Sequence, residues 1–228
     1  MPAAGVGRRF SERMPKQFFP LNGQTVAQLC LDKLLRVPDV EQVIVPCDMG
    51  NPNWSDMPAR NDARVRLIAG GCNRAESVYQ GLLAISDVAE KHDWVLVHDI
   101  VRPCVTLGAI ARLKQEVSAH PVGGILVAPV SDTLKRVDAK GVIVGTQDRQ
   151  DYRLAQTPQM FRYGELYAAM GVVLASTKVT TDEAEALEIA GRPLLAVQGR
   201  SDNIKITRYE DLQVATAILK AQEESVCV

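Results

Sequence analysis

Short apolar segments alternate with helical segments along most of this chain, and this alternation limits the possible folds more than any other feature. Apolar or β-branched runs occupy residues 43–45, 65–68, 94–97 and 124–127, and helical spacing of apolar residues occurs at 25–36, 75–85 and 107–117. Strands that alternate with helices form βαβ units. We therefore predict an α/β protein with a mostly parallel sheet and helices on both faces.

The last hundred residues contain one break in the alternation. Residues 133–137 and 142–144 are two short β-type runs around an Asp-Ala-Lys-Gly turn, which predicts a β-hairpin arm at about 131–152. An isolated two-stranded hairpin is marginally stable in water, so the arm is expected to pack on a partner subunit or on its own domain. A helix at 182–190, a strand at 194–197 and a last helix to about 220, opened by a Thr207-x-x-Glu210 capping box, complete the prediction.

Length and charge limit the class of protein. With 228 residues and a formal net charge of -1, the chain is predicted to be one globular domain over 1–228 that does not bind nucleic acid. No apolar run approaches the length of a membrane span, so no membrane association is expected. The five cysteines include no C-x-x-C pair, which favours reduced thiols and a cytoplasmic location.

The chain begins with glycines followed by cations. Gly5 and Gly7 leave main-chain N–H groups open to a close approach by phosphate. Arg9 and Lys16 supply positive charge. A Walker A loop would place a lysine directly after its last glycine, and a dinucleotide fingerprint would place Gly or Ala where Phe10 stands. The pattern therefore indicates a nucleotidyltransferase-type phosphate loop, with an ordinary surface turn as its alternative.

An acidic residue follows the apolar run at 94–97, in the string Val-His-Asp-Ile-Val-Arg-Pro. A carboxylate at the end of a strand can hold Mg²⁺ against triphosphate oxygens, so we predict that Asp99 binds Mg²⁺ or another divalent cation. The alternative is that Asp99 caps a turn and pairs with Arg102. His98 is given no role, because a single histidine beside a strand end is more often structural.

Two further segments carry groups suited to a nucleotide. The Gly70-Gly71 turn follows a predicted strand and opens a helix, so its N–H groups and Ser77 are candidates for hydrogen bonds to a base or ribose. A purely structural turn gives the same pattern. Lys205 is a candidate third phosphate cation, and a solvated side chain is the alternative.

Seven strings in order resemble the 2-C-methyl-D-erythritol 4-phosphate cytidylyltransferase family over essentially the whole chain. They are P-A-A-G-V-G-R-R, P-K-Q-F, G-G-x-x-R-A-x-S-V, V-H-D-x-x-R-P, A-x-T-P-Q-x-F, T-D-E-A-x-A-L-E and D-N-I-K-I-T. The resemblance implies a Rossmann-like nucleotidyltransferase fold that uses CTP and a divalent metal. It implies cytidylyl transfer to a sugar-alcohol phosphate, with release of pyrophosphate, in the non-mevalonate route to isoprenoids. It also implies a homodimer formed through the arm.

The same resemblance assigns roles to individual residues. Arg9 and Lys16 correspond to catalytic cations that stabilise the transition state, and Asp99 corresponds to the metal-associated aspartate. The residues predicted to bind substrate are Ala3, Ala4, Gly5, Gly7, Gly71, Ser77, Arg102, Thr133, Arg149, Thr157 and Lys205. Of these, Ala3, Ala4, Gly71 and Ser77 match cytosine and ribose contacts. Thr133 and Arg149 match arm residues that hold methylerythritol phosphate in the partner's site.

One departure from the family and two alternatives remain. The family's strand before the P-A-A-G loop is an apolar run, whereas only Met1 precedes Pro2 here, so we expect this strand to be missing or shortened. A ribitol-5-phosphate cytidylyltransferase shares P-K-Q-F and N-I-K, but it usually opens with A-G-G and lacks T-D-E-A. A non-catalytic CTP-binding relative is the second alternative, suggested by the shortened strand.

Overall fold

The computed structural model of this protein describes residues 1–5, 14–176 and 178–226, which form alternating strands and helices. The strands are β1 (Pro20–Leu21), β2 (Gln24–Thr25), β3 (Val43–Cys47), β4 (Val65–Ala69), β5 (Trp94–Val97), β6 (Gly123–Pro129), β7 (Leu134–Val137), β8 (Ile143–Gln147), β9 (Arg153–Arg162) and β10 (Leu195–Gln198). The helices are α1 (Val26–Leu35), α2 (Arg74–Leu83), α3 (Leu107–Val117), α4 (Tyr163–Leu174), α5 (Glu183–Ile189) and α6 (Asp211–Val226). These bounds confirm the predicted alternation.

The central strands run parallel with one exception. A four-stranded sheet has the order β10-β6-β9-β5, and β3 pairs with β4 in a separate parallel ladder. Strand β10 is parallel to β6, whereas β9 is antiparallel to both β6 and β5. The predicted α/β class is confirmed, with a mixed sheet in which β9 is the antiparallel strand, and β9 is the strand of this sheet that the sequence interpretation missed.

Strand β9 was missed because a proline interrupts it. The pairing of β6 with β9 shifts between Ile125 and Val127, where residues 156–158 of β9 bulge out of the ladder. Pro158 therefore stands where no ladder hydrogen bond is needed, as expected for a proline within a sheet. The bulge also turns Gln156 and Thr157 away from the regular pattern that sequence periodicity can detect.

Helices cover both faces of the four-stranded sheet, as predicted. Met160 and Phe161 are consecutive residues of β9, so their side chains point to opposite faces. Met160 packs with Leu113 of α3, and Phe161 packs with Leu166 of α4. A third core lies around β3, where α1 and α6 pack together. Among the described residues no helix is both long enough and apolar enough to cross a membrane.

Helix starts follow the capping residues in the sequence. Side chains of Thr25, Asn73, Thr106 and Asp182 each accept a hydrogen bond from the first turn of the helix that follows. The predicted Thr207-x-x-Glu210 capping box is wrong, because α6 begins later, at Asp211. The Asp211 carboxylate accepts hydrogen bonds from both N and Oγ1 of Thr207, at 2.7 and 2.9 Å. The carboxylate that accepts from Thr207 therefore belongs to the residue after the predicted Glu210.

The predicted hairpin arm is present. Strands β7 and β8 pair antiparallel, with Leu134 opposite Gln147, and the Arg149 guanidinium donates to the carbonyl of Ser131 at the base of the arm. The outer part of the hairpin is apolar and exposed, and Ile143 keeps 61% of its surface accessible. This exposure leaves the arm open to a partner.

A groove of about 530 Å³ lies between the facing edges of β3 and β5. No ladder joins these two strands in the described part of the chain. At one end of the gap, the backbone N of Met1 donates to the carbonyl of Ile44 and the N of Ala3 donates to that of Pro46, both over 2.8 Å. Residues 1–3 thus pair with β3 as a short parallel segment, and the rest of the gap is the groove.

Candidate functional site

A pocket of about 200 Å³ lies at the carboxyl ends of strands β3, β4 and β5, and four charged side chains line it. This edge is where ligands bind in open α/β sheets. The pocket is lined by Pro2, Ala3, Ala4, Gly5, Lys16, Gln17, Gly71, Cys72, Asn73, Arg74, Ser77, Asp99, Ile100, Val101 and Lys205. Segments far apart in the sequence therefore meet in one cavity.

Most of the predicted site residues lie in this pocket. The lining includes Ala3, Ala4, Gly5, Lys16, Gly71, Ser77, Asp99 and Lys205. Arg102 and Thr157 instead contact Asp99 from behind. Thr133 and Arg149 lie on the arm and are not among the lining residues of the pocket. Gly7 and Arg9 lie outside the described residues.

The glycine turn between β4 and α2 is packed too closely for any larger residue. A Cβ atom on Gly70 would lie 2.5 Å from the Cβ of Ala4, and one on Gly71 would lie 2.2 Å from the Cβ of Glu76. The absence of side chains lets the turn approach the N-terminal segment. Ser77 closes the turn, because its hydroxyl accepts from the N of Gly71 over 3.1 Å and donates to the carbonyl of Asn73 over 2.9 Å.

Asp99 is the electrostatic centre of the pocket. Its Oδ2 lies 2.9 Å from the Lys205 ammonium and 3.4 Å from Nε of Arg102, and its Oδ1 lies 3.2 Å from Nη2 of Arg74. Burial raises the pKa of the Asp99 carboxyl, but the charges of Arg74 and Lys205 outweigh burial and hold this pKa well below its usual range. Asp99 is therefore ionised at any physiological pH, and the pairing with Arg102 proposed as its alternative role is present.

Two lysines line the pocket together with Arg74. The Lys16 ammonium donates to the carbonyl of Ile206 over 2.9 Å, and Lys205, the preceding residue, pairs with Asp99. Lys205 is thus not a freely solvated side chain, as its alternative reading required, although 39% of its side chain remains exposed. Both ammonium groups lie where a polyphosphate in the pocket can take them as counter-ions.

A buried histidine supports Asp99 from behind. Thr157 Oγ1 accepts from the N of Asp99 over 3.0 Å and lies 3.1 Å from Nδ1 of His98. Nε2 of His98 faces the carbonyl of Arg102 at 3.2 Å, so Nε2 carries the proton and Nδ1 accepts from the Thr157 hydroxyl. Burial lowers the pKa of His98 to about 4, which keeps the ring neutral. The histidine is structural, as its sequence position suggested.

Arg74 and Glu183 were quoted within motifs but given no role from the sequence. Arg74 is the first residue of α2, and it contacts both Asp99 and the buried Glu183. A cation in the first turn of a helix opposes the helix dipole and needs carboxylate partners nearby. An arginine directly after the helix N-cap was therefore the signal that could have revealed this contact.

A glycine turn, converging cations and a strand-end aspartate on a mostly parallel α/β sheet define a nucleotidyltransferase. Comparison with known proteins narrows the class. A family model described as 2-C-methyl-D-erythritol 4-phosphate cytidylyltransferase matches residues 1–221, and the chain belongs to this family.

Individual relatives agree with the family. The 2-C-methyl-D-erythritol 4-phosphate cytidylyltransferase of Pseudomonas putida strain W619 is 44% identical over 215 residues, covering 93% of this chain and 91% of the relative. The enzyme of the same name from Pseudomonas aeruginosa strain UCBPP-PA14 is 44% identical over 213 residues, with the same coverage. The crystal structure of the Francisella tularensis enzyme superposes with a TM-score of 0.82 at 36% identity, covering 95% of this chain and 96% of that one. The predicted family and fold are confirmed.

Proposed function

We propose that this protein transfers the cytidylyl group of CTP to 2-C-methyl-D-erythritol 4-phosphate. The products are 4-diphosphocytidyl-2-C-methyl-D-erythritol, an intermediate of the non-mevalonate route to isoprenoids, and pyrophosphate. Family membership supports the choice of substrates. The observation that carries the proposal to this chain is the pocket in which Lys16, Lys205 and Asp99 meet beside the glycine turn.

The chemistry needs charge neutralisation more than proton transfer. A phosphate oxygen of the sugar phosphate is already anionic, so it attacks the α-phosphorus of CTP in line and expels pyrophosphate without a general base. Lys16 and Lys205 offset negative charge on the transferred and departing phosphates. Arg9, which lies outside the described residues, is proposed as the second catalytic cation beside Lys16. His98 is neutral and buried, which agrees with a mechanism that has no catalytic histidine.

We propose Mg²⁺ as the cofactor. The described residues contain no cluster of three or more His, Cys, Asp or Glu side chains that could hold a metal alone. Mg²⁺ is commonly held by one or two carboxylates together with substrate phosphates, and Asp99 in the pocket fits that donor set. When bound, the metal would neutralise charge on the triphosphate. Oδ2 of Asp99, which pairs with Lys205, is the oxygen that would exchange its lysine partner for the metal ion.

The remaining predicted contacts divide between the pocket and the arm. Ala3, Ala4, Gly71 and Ser77 line the pocket and are proposed to hold cytosine and ribose, while Gly5 and Gly7 are proposed to admit the phosphates. Arg102 and Thr157 are proposed to support the same site through Asp99. Thr133 and Arg149 are proposed to hold the sugar phosphate in the site of a partner subunit.

We further propose that the protein is a homodimer formed through the arm. The hairpin exposes Val137, Val142, Ile143 and Val144, and an apolar hairpin with this exposure is more stable when a second subunit covers it. A cytoplasmic location is proposed as well, since Cys30, Cys47, Cys72 and Cys104 are free thiols. Ile143→Asp should convert the dimer to a monomer in light-scattering measurements. An unchanged mass would contradict the proposed interface.

The direct test is an assay of pyrophosphate release. The protein is incubated with CTP and Mg²⁺ and either 2-C-methyl-D-erythritol 4-phosphate or ribitol 5-phosphate. We expect release with the first sugar phosphate and little with the second. Preference for ribitol 5-phosphate would identify the other cytidylyltransferase. CTP binding in calorimetry without release from either substrate would identify a non-catalytic relative.

A further inference from the structure

A buried ion pair joins the first residues of two helices behind the pocket. Arg74 begins α2 and Glu183 begins α5. Nη1 of Arg74 donates to Oε1 of Glu183 over 2.5 Å, and Nη2 donates to Oε2 over 2.9 Å. The Glu183 side chain is only 1% exposed. Such a two-point contact fixes both the position and the plane of the guanidinium.

The same guanidinium also holds one oxygen of Asp99. Nε and Nη2 of Arg74 lie 3.3 and 3.2 Å from Oδ1. Oδ2 is shared by Lys205 and Arg102. Arg74 is anchored by a second carboxylate, whereas Lys205 has no second acid among its ion pairs in the described residues. Asp99 therefore has one oxygen held by a fixed partner and one whose lysine partner can move to a phosphate.

Glu183 is itself anchored to the sheet. Gln159 of β9 donates from Nε2 to the carboxylate of Asp182 over 2.7 Å and accepts from the N of Ala184 over 3.0 Å. Residues on both sides of Glu183 are thus bound to one side chain of a central strand. Within the described part of the chain, both Glu183 oxygens receive their hydrogen bonds from Arg74. The orientation of Arg74 is consequently built on β9.

The pair also sets the charge that the pocket presents. The cluster contains three cations, Arg74, Arg102 and Lys205, and two carboxylates, Asp99 and Glu183, which leaves a net charge of +1. Arg74 lines the pocket. Without the negative charge of Glu183, the Arg74 guanidinium would be a strong additional ligand for phosphate, because an arginine can bind two phosphate oxygens at once.

We propose that Arg74 and Glu183 form a positioning pair. Glu183 keeps the Arg74 guanidinium on Oδ1 of Asp99 and away from the nucleotide phosphates, so that Lys16 and Lys205 are the pocket cations that follow the reacting groups. Glu183 never touches substrate and acts only through Arg74. The identity of the nucleotide, CTP, rests on the proposed function above.

Glu183→Gln tests the pair, because the amide keeps the size of the side chain and removes its charge. Arg74 is then free to move toward the phosphates of CTP and to stabilise the enzyme–CTP complex before the reaction. We expect the Kd for CTP, measured by calorimetry without sugar phosphate, to fall threefold or more while kcat falls tenfold or more. A purely structural role would reduce the amount of folded protein without tightening CTP binding. An unchanged or weaker affinity for CTP would overturn the proposal.

The matched control is Glu165→Gln, which removes the same charge from the partly exposed Arg192–Glu165 pair, whose nitrogen and oxygen are 2.9 Å apart. This control should leave kcat and the Kd for CTP unchanged. A change equal to that of Glu183→Gln would show a general effect of lost negative charge and would also overturn the proposal.

A double variant, Arg74→Met with Glu183→Leu, keeps the test decisive if Glu183→Gln does not fold, since buried ion pairs are often replaced by apolar residues without loss of stability. We expect kcat to fall tenfold or more with no tightening of CTP binding, because no guanidinium remains to be released. Turnover close to that of the parent would overturn the positioning role. If the parent chain itself releases no pyrophosphate, the proposed function fails, and CTP binding by the single and double variants still decides the pair.

Discussion

The pocket and the groove meet at Pro2, which lines both, yet the two cavities differ in size and in the side chains that line them. The pocket is the smaller, at about 200 Å³ against about 530 Å³, and it gathers Lys16, Lys205 and Asp99. The groove is lined mainly by apolar side chains, and its charged residues are Asp39, Glu41, Asp93 and Lys114. Size therefore does not distinguish the pocket that we propose as the functional site. The features that distinguish it are glycines, cations and a carboxylate at the ends of strands.

The largest expected effect of a single change is in the pocket. Lys16→Ala should lower kcat by two to three decades, since one preorganised charge at a developing anion contributes roughly 3 to 4 kcal/mol. The Kd for CTP should change much less, because this charge acts mainly in the transition state. Steady-state pyrophosphate release and calorimetry measure the two quantities.

Lys114→Ala is the matched change in the groove. Lys114 also donates its ammonium to a main-chain carbonyl, that of Pro38, over 2.9 Å. Turnover of this variant should stay within twofold of the parent. Near-parental turnover in Lys16→Ala, or an equal loss in Lys114→Ala, would remove the distinction between the two cavities and the catalytic role of Lys16.

The next effect concerns stability. Asp99→Asn leaves the charges of Arg74, Arg102 and Lys205 without their shared acid, and breaking a buried ion pair on one side costs on the order of 3 kcal/mol. Urea unfolding should show this loss. Asp39→Asn breaks the exposed pair with Lys114 at the groove and should cost well under 1 kcal/mol. Equal losses would mean that the Asp99 cluster is no more than a surface network.

Sequence reasoning could locate the polar site because its signals are local. Glycines at a turn, a lysine after a proline and an aspartate after an apolar run each identify themselves within a few residues. The parallel strands and most helices were predicted for the same reason, from periodicity within single segments. The contact of Arg74 with Glu183 was not predicted, because it joins residues 109 positions apart and depends on the packing of two helices.

The errors have physical causes of the same kind. Strand β9 contains Pro158 and a bulge, so its pattern does not show regular alternation. Asp211, rather than the expected Glu210, accepts the hydrogen bonds from the N of Thr207 and of Arg208 before α6, because the helix begins later than the pattern predicts. The groove depends on which strand edges remain unpaired in three dimensions, and sequence periodicity does not report that.

The third prediction concerns the acid side of pH. His98, behind the pocket, has a pKa lowered by burial to about 4, against an ordinary value near 6.5. Below pH 6.5 the unfolded chain binds a proton that the folded chain excludes, so stability falls as pH decreases from 6.5 to 4. His98 should account for about 2 kcal/mol of the loss between pH 7 and pH 5. For His98→Gln, the free energy of unfolding measured with urea should fall by about 2 kcal/mol less between pH 7 and pH 5 than it does for the parent. An identical slope would show that His98 titrates normally in the folded protein.

The smallest predicted effect is in the groove, and it tests whether the groove is unfilled core. Four apolar residues, Val-Ile-Val-Val, fused ahead of Met1 would continue the parallel pairing of residues 1–3 with the β3 side of the gap. Burial of their side chains contributes about 1.5 to 3 kcal/mol each, and ordering of backbone and side chain together costs nearly as much per residue, so only a small net gain, about 1 kcal/mol, is expected.

A polar extension, Ser-Gly-Ser-Gly, is the matched control, because either extension also removes the buried amine of Met1. Burial lowers the pKa of that amine to about 5, so the amine makes the folded state less stable as pH falls from 8 toward 5. Both extensions should therefore raise the free energy of unfolding more at pH 6 than at pH 8.5. At pH 8.5 only the apolar extension should raise it. Equal stability of the two extended proteins at pH 8.5 would show that the groove does not accept a strand, and the contrast between pocket and groove would then rest on charge alone.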